Sequence, residues 1–263
     1  MIETITIVSG HGKDGTPEAV DQLELRMGDV VSIVGPTGSG KTTLINDIEL
    51  FADGTTPTGR RVLINGAAPP DEYRENPANH PIALITQHTT FLSDLPVGEF
   101  LATHARIRSK TERDVEALLE ETLEFANQLT GEPIQTEMRM TELSGGQTRA
   151  LLIADATIIC DTPIVLLDEV ENAGIHRTRA LELLRRRRKI FIFVTHDPRI
   201  ALLSDYRIVM RGGKIADVLY TDAAERAYAH EVSKLDDALC ILRDKIRHGE
   251  RLTGHLLEVF ACN

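Results

Sequence analysis

Residues 35–42 of the 263-residue chain read Gly-Pro-Thr-Gly-Ser-Gly-Lys-Thr. This stretch matches the pattern Gly-x-x-x-x-Gly-Lys-Ser/Thr of a phosphate-binding loop, in which backbone amides and a helix N-terminus surround the phosphates. It follows the apolar run Val30–Val34, which is typical of a buried strand, and it precedes a helical pattern over Thr42–Leu50. Both flanks favour this interpretation over an ordinary glycine-rich turn. The candidate phosphate-binding residues are Gly35, Pro36, Thr37, Gly38, Ser39, Gly40, Lys41, Thr42 and Thr43.

Short apolar runs alternate with helical patterns on both sides of this loop. Strands are expected near the N-terminus and at 30–34, 61–64, 82–86, 164–168, 190–195 and 206–210, and helices at about 145–159 and 175–188. This alternation predicts an α/β fold with a mainly parallel, doubly wound sheet. The stretch from about 96 to 140 has a helical pattern, which indicates a helical insertion within the α/β domain, and residues 67–80 are expected to form a loop.

A separate helix is expected at the C-terminal end. Apolar residues recur there in steps of four and three, at Tyr228, Val232, Leu235, Leu239, Leu242 and Ile246. We favour an amphipathic helix packed on its own domain, because so few heptads are weak evidence for a coiled coil. A contact between two copies of the chain is the alternative.

Composition and charge exclude several classes of protein. The formal net charge is −11, which disfavours general nucleic-acid binding because the phosphate backbone is also negative. The three cysteines are scattered and include no Cys-x-x-Cys pair, so we expect reduced thiols and no structural zinc site. His80, His88 and His104 are not spaced as metal ligands. No apolar run approaches the roughly 20 residues of a transmembrane helix.

Two further motifs carry chemical groups. The apolar run 164–167 ends in Asp168 and Glu169, of which Asp168 suits Mg²⁺ and Glu169 can accept a proton from an attacking water. Residues 143–147 read Leu-Ser-Gly-Gly-Gln, in which Ser144 is a good helix N-cap and the glycines leave backbone amides accessible.

The phosphate loop, then Leu-Ser-Gly-Gly-Gln, then an apolar strand ending in Asp-Glu resembles, in this order, the ATP-binding cassette (ABC) ATPases. The resemblance covers about residues 1–220, and in it Gln87 is similar to the Q-loop glutamine and His196 to the switch histidine. It implies a P-loop NTPase fold with an antiparallel β subdomain and a helical subdomain inserted at about 88–142. Residues 221–263 would form a C-terminal helical extension.

The resemblance also implies a composite site for ATP and Mg²⁺ between two subunits arranged head to tail. Glu169, His196 and Gln87 would be catalytic, and Thr42, Gln87 and Asp168 would hold Mg²⁺. The second subunit would contribute Ser144, Gly145, Gly146 and Gln147. One chain has one copy of each motif, so we expect a second cassette, in the simplest case a homodimer. A separate membrane permease would place the chain in the cytoplasm at the inner face of the membrane.

Two departures from the family pattern stand out. Residues 1–50 contain no aromatic residue to stack on adenine, and His11 is the candidate at that place. The segment after Glu169 reads Val-Glu-Asn-Ala-Gly-Ile, with Ile175 where the family usually has an aspartate, so coupling between the two sites of a dimer is expected to be unusual.

Three functions compete at this stage. The first is the ATP-hydrolysing subunit of an ABC transport system. The second is an ABC-type ATPase that remodels a protein, an enzyme or a ribosome without a permease. A nucleotide-gated interaction module without catalysis is third, and the presence of both Glu169 and His196 disfavours it.

Overall fold

The computed structural model describes residues 1–86, 88–108, 114–169 and 177–251. The strands are β1 (Thr4–Val8), β2 (Gln22–Arg26), β3 (Val30–Val34), β4 (Arg61–Ile64), β5 (Ile82–Thr86), β6 (Ile164–Asp168), β7 (Ile190–Val194), β8 (Tyr206–Arg211) and β9 (Lys214–Tyr220). The α-helices are α1 (Lys41–Glu49), α2 (Glu72–Glu75), α3 (Val97–Arg108), α4 (Val115–Leu129), α5 (Gly145–Ala154), α6 (Arg177–Arg185), α7 (Pro198–Leu203) and α8 (Ala223–Arg247). A short 3₁₀ turn covers Met140–Glu142, and a π-helical turn, Asp155–Ile159, continues α5.

The main sheet has six strands in the order β5-β6-β7-β3-β8-β9. Its first five strands run parallel, and β9 pairs antiparallel with β8. The order of strands departs from the order along the chain, as helices cross over between parallel strands. The predicted α/β class with a mainly parallel sheet is therefore confirmed.

A second, antiparallel sheet of three strands has the order β2-β1-β4. The buried side chains of these strands belong to one apolar core together with α1 and one face of the main sheet. The phosphate-loop helix therefore shares a core with both sheets, which restricts its movement.

The two faces of the main sheet bury different helices. On β3, Val31 and Ile33 join the core that contains α1, whereas Val30 joins the core formed with α3, α4, α5 and α6. This follows from the period of two along a strand. As a result, α1 and α5 lie on opposite faces of the sheet.

Some elements differ from the expectations. Two strands, β2 and β9, were not expected: Gln22–Arg26 alternates apolar and polar residues, and Lys214–Tyr220 is interrupted by Asp217. A single helical turn, α2, lies within the expected loop 67–80. Helix α6 ends at Arg185, three residues earlier than expected, and Arg188 has a positive φ of 51°.

Helix α8 packs on its own domain, as expected, but through other residues. Arg199 of α7 donates to the hydroxyl of Ser233 at 2.5 Å, and the buried side chains include Ala229 and Ala238. The apolar stripe that the sequence predicts along α8 is instead largely exposed, most of all at Tyr228 and Ile246. Small residues let α8 approach the domain, and the larger apolar residues face outward.

No helix within the described ranges combines the length and the apolar character needed to cross a membrane.

Candidate nucleotide-binding site

The phosphate loop connects the end of β3 to the start of α1. Three of its glycines have positive φ, namely Gly35 at 150°, Gly38 at 76° and Gly40 at 99°. A Cβ on Gly35 would lie 2.4 Å from the carbonyl oxygen of Met210, and one on Gly40 would lie 2.8 Å from the Cα of Gly213. The loop therefore needs glycine at 35 and 40 both for its backbone conformation and for its contacts with Met210 of β8 and Gly213 of the β8–β9 turn.

Two polar side chains in the loop fit an anionic ligand. The ammonium of Lys41 is buried and donates to the carbonyl oxygens of Gly35 at 2.9 Å and Pro36 at 3.2 Å. The hydroxyl oxygen of Ser39 is buried and has no hydrogen-bond partner within the described residues. A buried cation and an unsatisfied hydroxyl group beside backbone amides at a helix N-terminus are suited to phosphate oxygens.

The carboxyl ends of four parallel strands meet beside this loop. In register, Thr86 of β5 lies opposite Asp168 of β6, Asp168 lies opposite Val194 of β7, and Val194 lies opposite Ile33 of β3. This edge is where open α/β sheets bind ligands. The sheet therefore brings Asp168 and the carboxyl ends of β5 and β7 to the same edge as the phosphate loop.

Glu169 and His196 contact each other at this edge. The distance between Glu169 Oε1 and His196 Nε2 is 3.4 Å, and both side chains are partly exposed. Glu169 has a φ of 51°, in the left-handed region, and its amide donates to the carbonyl oxygen of Val194 at 3.0 Å. Such a conformation is costly for a non-glycine residue and often marks a functional site. The hydrogen bond to Val194 fixes the end of β6, where Glu169 lies, next to the end of β7, which His196 follows.

The Leu-Ser-Gly-Gly-Gln motif forms the N-terminus of α5. Ser144 is the N-cap: its hydroxyl accepts from the Gln147 amide at 3.3 Å, and Gln147 Oε1 accepts from the Ser144 amide at 2.9 Å. The Gln147 side chain is buried and also donates to the carbonyl oxygen of Pro133 at 3.2 Å. Ser144 and Gly145 are exposed. Gln147 therefore holds the motif in place, while Ser144 and the glycine amides are the groups open to an outside ligand.

His11 lies in a loop that contacts the phosphate loop. Its neighbour Lys13 donates from Nζ to the carbonyl oxygen of Gly38 at 3.0 Å and from its amide to that of Gly212 at 3.1 Å. His11 itself is exposed and packs beside Gly59. Lys13 is not predictable from the sequence, because a lone lysine in a polar loop belongs to no motif.

A buried ion-pair network supports this side of the site. Arg60 is 0% exposed and contacts Glu18 Oε1 at 2.7 Å, Asp47 Oδ2 at 2.9 Å and the carbonyl oxygen of Gly213 at 2.8 Å. Burial alone would raise the pKa of Glu18, but hydrogen bonds from Arg60 and from the amides of Ile215 and Gly10 outweigh it and lower that pKa. The network joins the His11 loop, α1 and the β8–β9 turn.

Two of the predicted features lie outside the described residues. They are Gln87 and the segment 170–176, which includes the departure at Ile175. Thr42 is described, and it is exposed in the first turn of α1.

Comparison with known proteins agrees with this geometry. The sequence model of the ABC transporter family matches residues 20–172. The chain belongs to the ABC transporter family. An uncharacterized ABC transporter ATP-binding protein of Methanocaldococcus jannaschii is 47% identical over 96% of this chain and 95% of its own length. The predicted membership is confirmed, and the chain is an ABC-type ATPase.

More distant relatives share the cassette. The sulfate/thiosulfate import ATP-binding protein CysA of Synechococcus elongatus is 31% identical over 78% of this chain, which spans 59% of that protein. A dimeric ATP-binding cassette, solved in a post-hydrolysis state with ADP and phosphate, has a TM-score of 0.63 at 24% identity, over 83% of this chain and 99% of the other. The protein cbiO1 of Clostridium perfringens, part of the ABC transporter complex cbiONQ, has a TM-score of 0.61 at 19% identity, over 95% of this chain and 100% of the other. These structural likenesses show the fold. The named relatives favour the ATP-binding subunit of a transport system over the alternative of a remodelling ATPase.

Proposed function

We propose that this ABC ATPase hydrolyses Mg²⁺-bound ATP as a head-to-tail dimer and couples hydrolysis to a separate membrane permease. The cassette would comprise residues 1–220, with its helical subdomain at about 88–142, and residues 221–263 would form an extension. The observation that carries the proposal is the convergence of the phosphate loop, Asp168 and the Glu169–His196 pair at one edge of the sheet.

Each described residue of the site has a proposed role that its position supports. The loop amides and Lys41 would hold the phosphates of ATP, and Glu169 would accept a proton from the attacking water. His196, 3.4 Å from Glu169, would orient that carboxylate. Thr42 and Asp168 offer the oxygen ligands that Mg²⁺ prefers, and Gln87 is proposed as a third ligand and a catalytic group. Bound Mg²⁺ would neutralise charge on the phosphates.

The phosphate loop leads into α1, and the Leu-Ser-Gly-Gly-Gln motif begins α5. A dimer is needed to bring the two motifs together, because α1 and α5 of one chain lie on opposite faces of the sheet. Two copies related by a twofold axis would place the exposed Ser144 and Gly145 of one copy over the phosphate loop of the other. Closure would add amide donors to the γ-phosphate and exclude water from the site.

A mixing experiment tests this arrangement. We expect Lys41→Ala and Ser144→Arg to be inactive alone, since each disables both sites of its homodimer. Mixed at equal amounts, half of the dimers are heterodimers with one intact site, so ATPase activity should recover to about one quarter of the wild-type value. Mixing Lys41→Ala with Lys41→Ala/Ser144→Arg is the matched control, because no intact site can form. Recovery no greater than in that control would contradict a composite site.

The permease partner is proposed to contact the start of the helical insertion, at the inner face of the membrane. Leu92 is 99% exposed there and follows the segment after β5. Affinity purification of the chain from detergent-solubilised membranes of its native host should recover a polytopic membrane protein. Leu92→Glu should reduce that recovery severalfold, because it places a charge in an apolar contact, whereas Ile107→Glu, at a residue 73% exposed, is the matched control. Absence of a membrane protein would contradict the coupling.

No nucleic-acid partner is proposed, because the net charge of −11 disfavours binding to a phosphate backbone.

A further inference from the structure

A cluster of three different metal-binding side chains lies on the side of the main sheet opposite α1. His104 of α3 lies near Asp155 and Cys160, and their ligand atoms are all within 4.8 Å of one another. His104 Nδ1 is 2.7 Å from Asp155 Oδ1, and Cys160 Sγ is 3.8 Å from Asp155 Oδ2. None of these residues belongs to the nucleotide site described above.

The backbone creates this cluster through the π-helical turn after α5. The amide of Cys160 donates to the carbonyl oxygen of Asp155 at 2.9 Å, a bond that spans five residues. In a regular α-helix, residues five apart point in directions about 140° apart, and the wider π turn brings them toward one face. Single π turns inside helices are frequent at functional sites. The π turn therefore brings Asp155 and Cys160 toward the same side of the segment, while Ala156, Ile158 and Ile159 between them pack in the core.

The surroundings hold the three ligands in place. The ring of Phe100 stacks on that of His104 with centroids 5.7 Å apart and an interplanar angle of 30°. Asp155 is buried, and His104 and Cys160 are partly buried, so a small ion could reach the cluster from solvent. Arg108, one turn after His104 on the same helix, hydrogen-bonds to Cys160 and favours its thiolate.

We propose that His104, Asp155 and Cys160 bind a divalent transition-metal ion of the zinc class. An imidazole nitrogen, a carboxylate oxygen and a thiolate form a donor set that Zn²⁺ accepts, with a water molecule as the fourth ligand. Ligand atoms around tetrahedral Zn²⁺ lie roughly 3.3–3.6 Å apart, so shifts of about 1 Å would convert the cluster into a coordination sphere. The metal would join α3 of the helical insertion to the end of the α5 segment.

Binding breaks the hydrogen bond between His104 Nδ1 and Asp155 Oδ1, and the Nδ1 hydrogen of the neutral imidazole moves to Nε2 through solvent. One proton is released, from Cys160. Without metal, burial and the neighbouring Asp155 raise the pKa of the Cys160 thiol to about 11, while Arg108 acts in the opposite direction. The S–H bond breaks as the sulfur–metal bond forms, and the proton leaves to solvent. No change of oxidation state is involved.

Cobalt titration of the untagged, metal-free full chain tests the proposal without nucleotide. We expect one equivalent of Co²⁺ to produce a thiolate-to-cobalt charge-transfer band, which Zn²⁺ then abolishes by displacement. Cys160→Ser should lose the band, and His104→Gln should weaken Zn²⁺ binding ~10-fold or more. Cys240→Ser and His230→Gln, on α8, are matched controls that should bind as the wild type does. A wild-type chain without the band, or a Cys160→Ser variant that keeps it, would overturn the site.

A second measurement needs no variant and so avoids any failure to fold. Alkylation of Cys160 in the wild-type chain, followed by peptide mass spectrometry, should slow at least tenfold when Zn²⁺ is present. Equal alkylation rates with and without Zn²⁺ would also overturn the proposal. Because both tests omit ATP, they succeed or fail independently of the proposed transport function.

Discussion

Replacing Glu169 by Gln is expected to lower the steady-state rate of ATP hydrolysis by ~10²–10⁴-fold, the range that a general base contributes. Glutamine keeps the size of the side chain but cannot accept the proton of the attacking water. Since the phosphate loop and Ser144 are unaltered, ATP binding should persist. The variant should therefore accumulate as an ATP-bound dimer, which size-exclusion chromatography with and without ATP would detect.

Glu120→Gln, at an exposed position on α4, is the control and should retain wild-type turnover. His196→Ala should reduce turnover but leave Glu169 able to act, because the two side chains are 3.4 Å apart and the histidine acts through the carboxylate. Turnover by Glu169→Gln within twofold of the wild type would show that the proton acceptor is another group.

Arg60→Met is expected to lower the free energy of unfolding by about 3–5 kcal/mol, the cost of breaking a buried ion pair from one side. The substitution keeps an unbranched apolar chain but leaves Glu18 and Asp47 without the guanidinium that contacts both. Chemical denaturation at neutral pH measures the change. Arg26→Met removes an exposed pair with Glu24, in which the arginine side chain is 74% exposed, and should cost no more than about 1 kcal/mol.

The same network predicts how stability depends on pH. The pKa of Glu18 is lower in the folded chain than its ordinary value, so ionised Glu18 stabilises the fold above that ordinary value. This contribution should disappear as the pH falls through the folded pKa. Glu18→Gln should therefore make the free energy of unfolding fall less steeply as the pH decreases in the acid range.

An Arg60→Met variant as stable as Arg26→Met would contradict the role of the network.

The network also has a consequence for the nucleotide site. Arg60 donates to the carbonyl oxygen of Gly213. The amide of Gly213 in turn donates to the carbonyl oxygen of Ser39 at 2.8 Å, and its Cα lies close to Gly40. Loss of Arg60 should loosen this support of the phosphate loop and weaken ATP binding as well as stability. The hydrogen bond from Lys13 Nζ to the carbonyl oxygen of Gly38 links the His11 loop to the phosphate loop as well.

Continuous apolar runs and glycine motifs made much of the fold predictable. Val30–Val34, Ile164–Asp168 and Ile190–Val194 are buried on both faces, so their sequences are apolar except at Ser32 and the terminal Asp168. Each forms the expected strand. Strands β2 and β9 were not predicted because both are partly exposed and neither is a continuous apolar run, and their pairing partners are set by the tertiary fold. The exposure of the apolar stripe on α8 was not predicted for a related reason. Periodicity identifies an apolar face of a helix but not what packs against it.

The sequence by itself determined the phosphate loop, the capped α5 motif and the strand that ends in Asp168 and Glu169, because each depends on neighbours along the chain. Only the tertiary structure decided which distant residues meet. It pairs Glu169 with His196 across adjacent strands, buries Arg60 between Glu18 and Asp47, and places His104 beside Asp155 and Cys160. These contacts join residues far apart in the chain, or aligned by a π turn, so the spacing that argued against a zinc site could not reveal them. Their formation depends on strand order and helix packing, which the free energy of the whole fold determines.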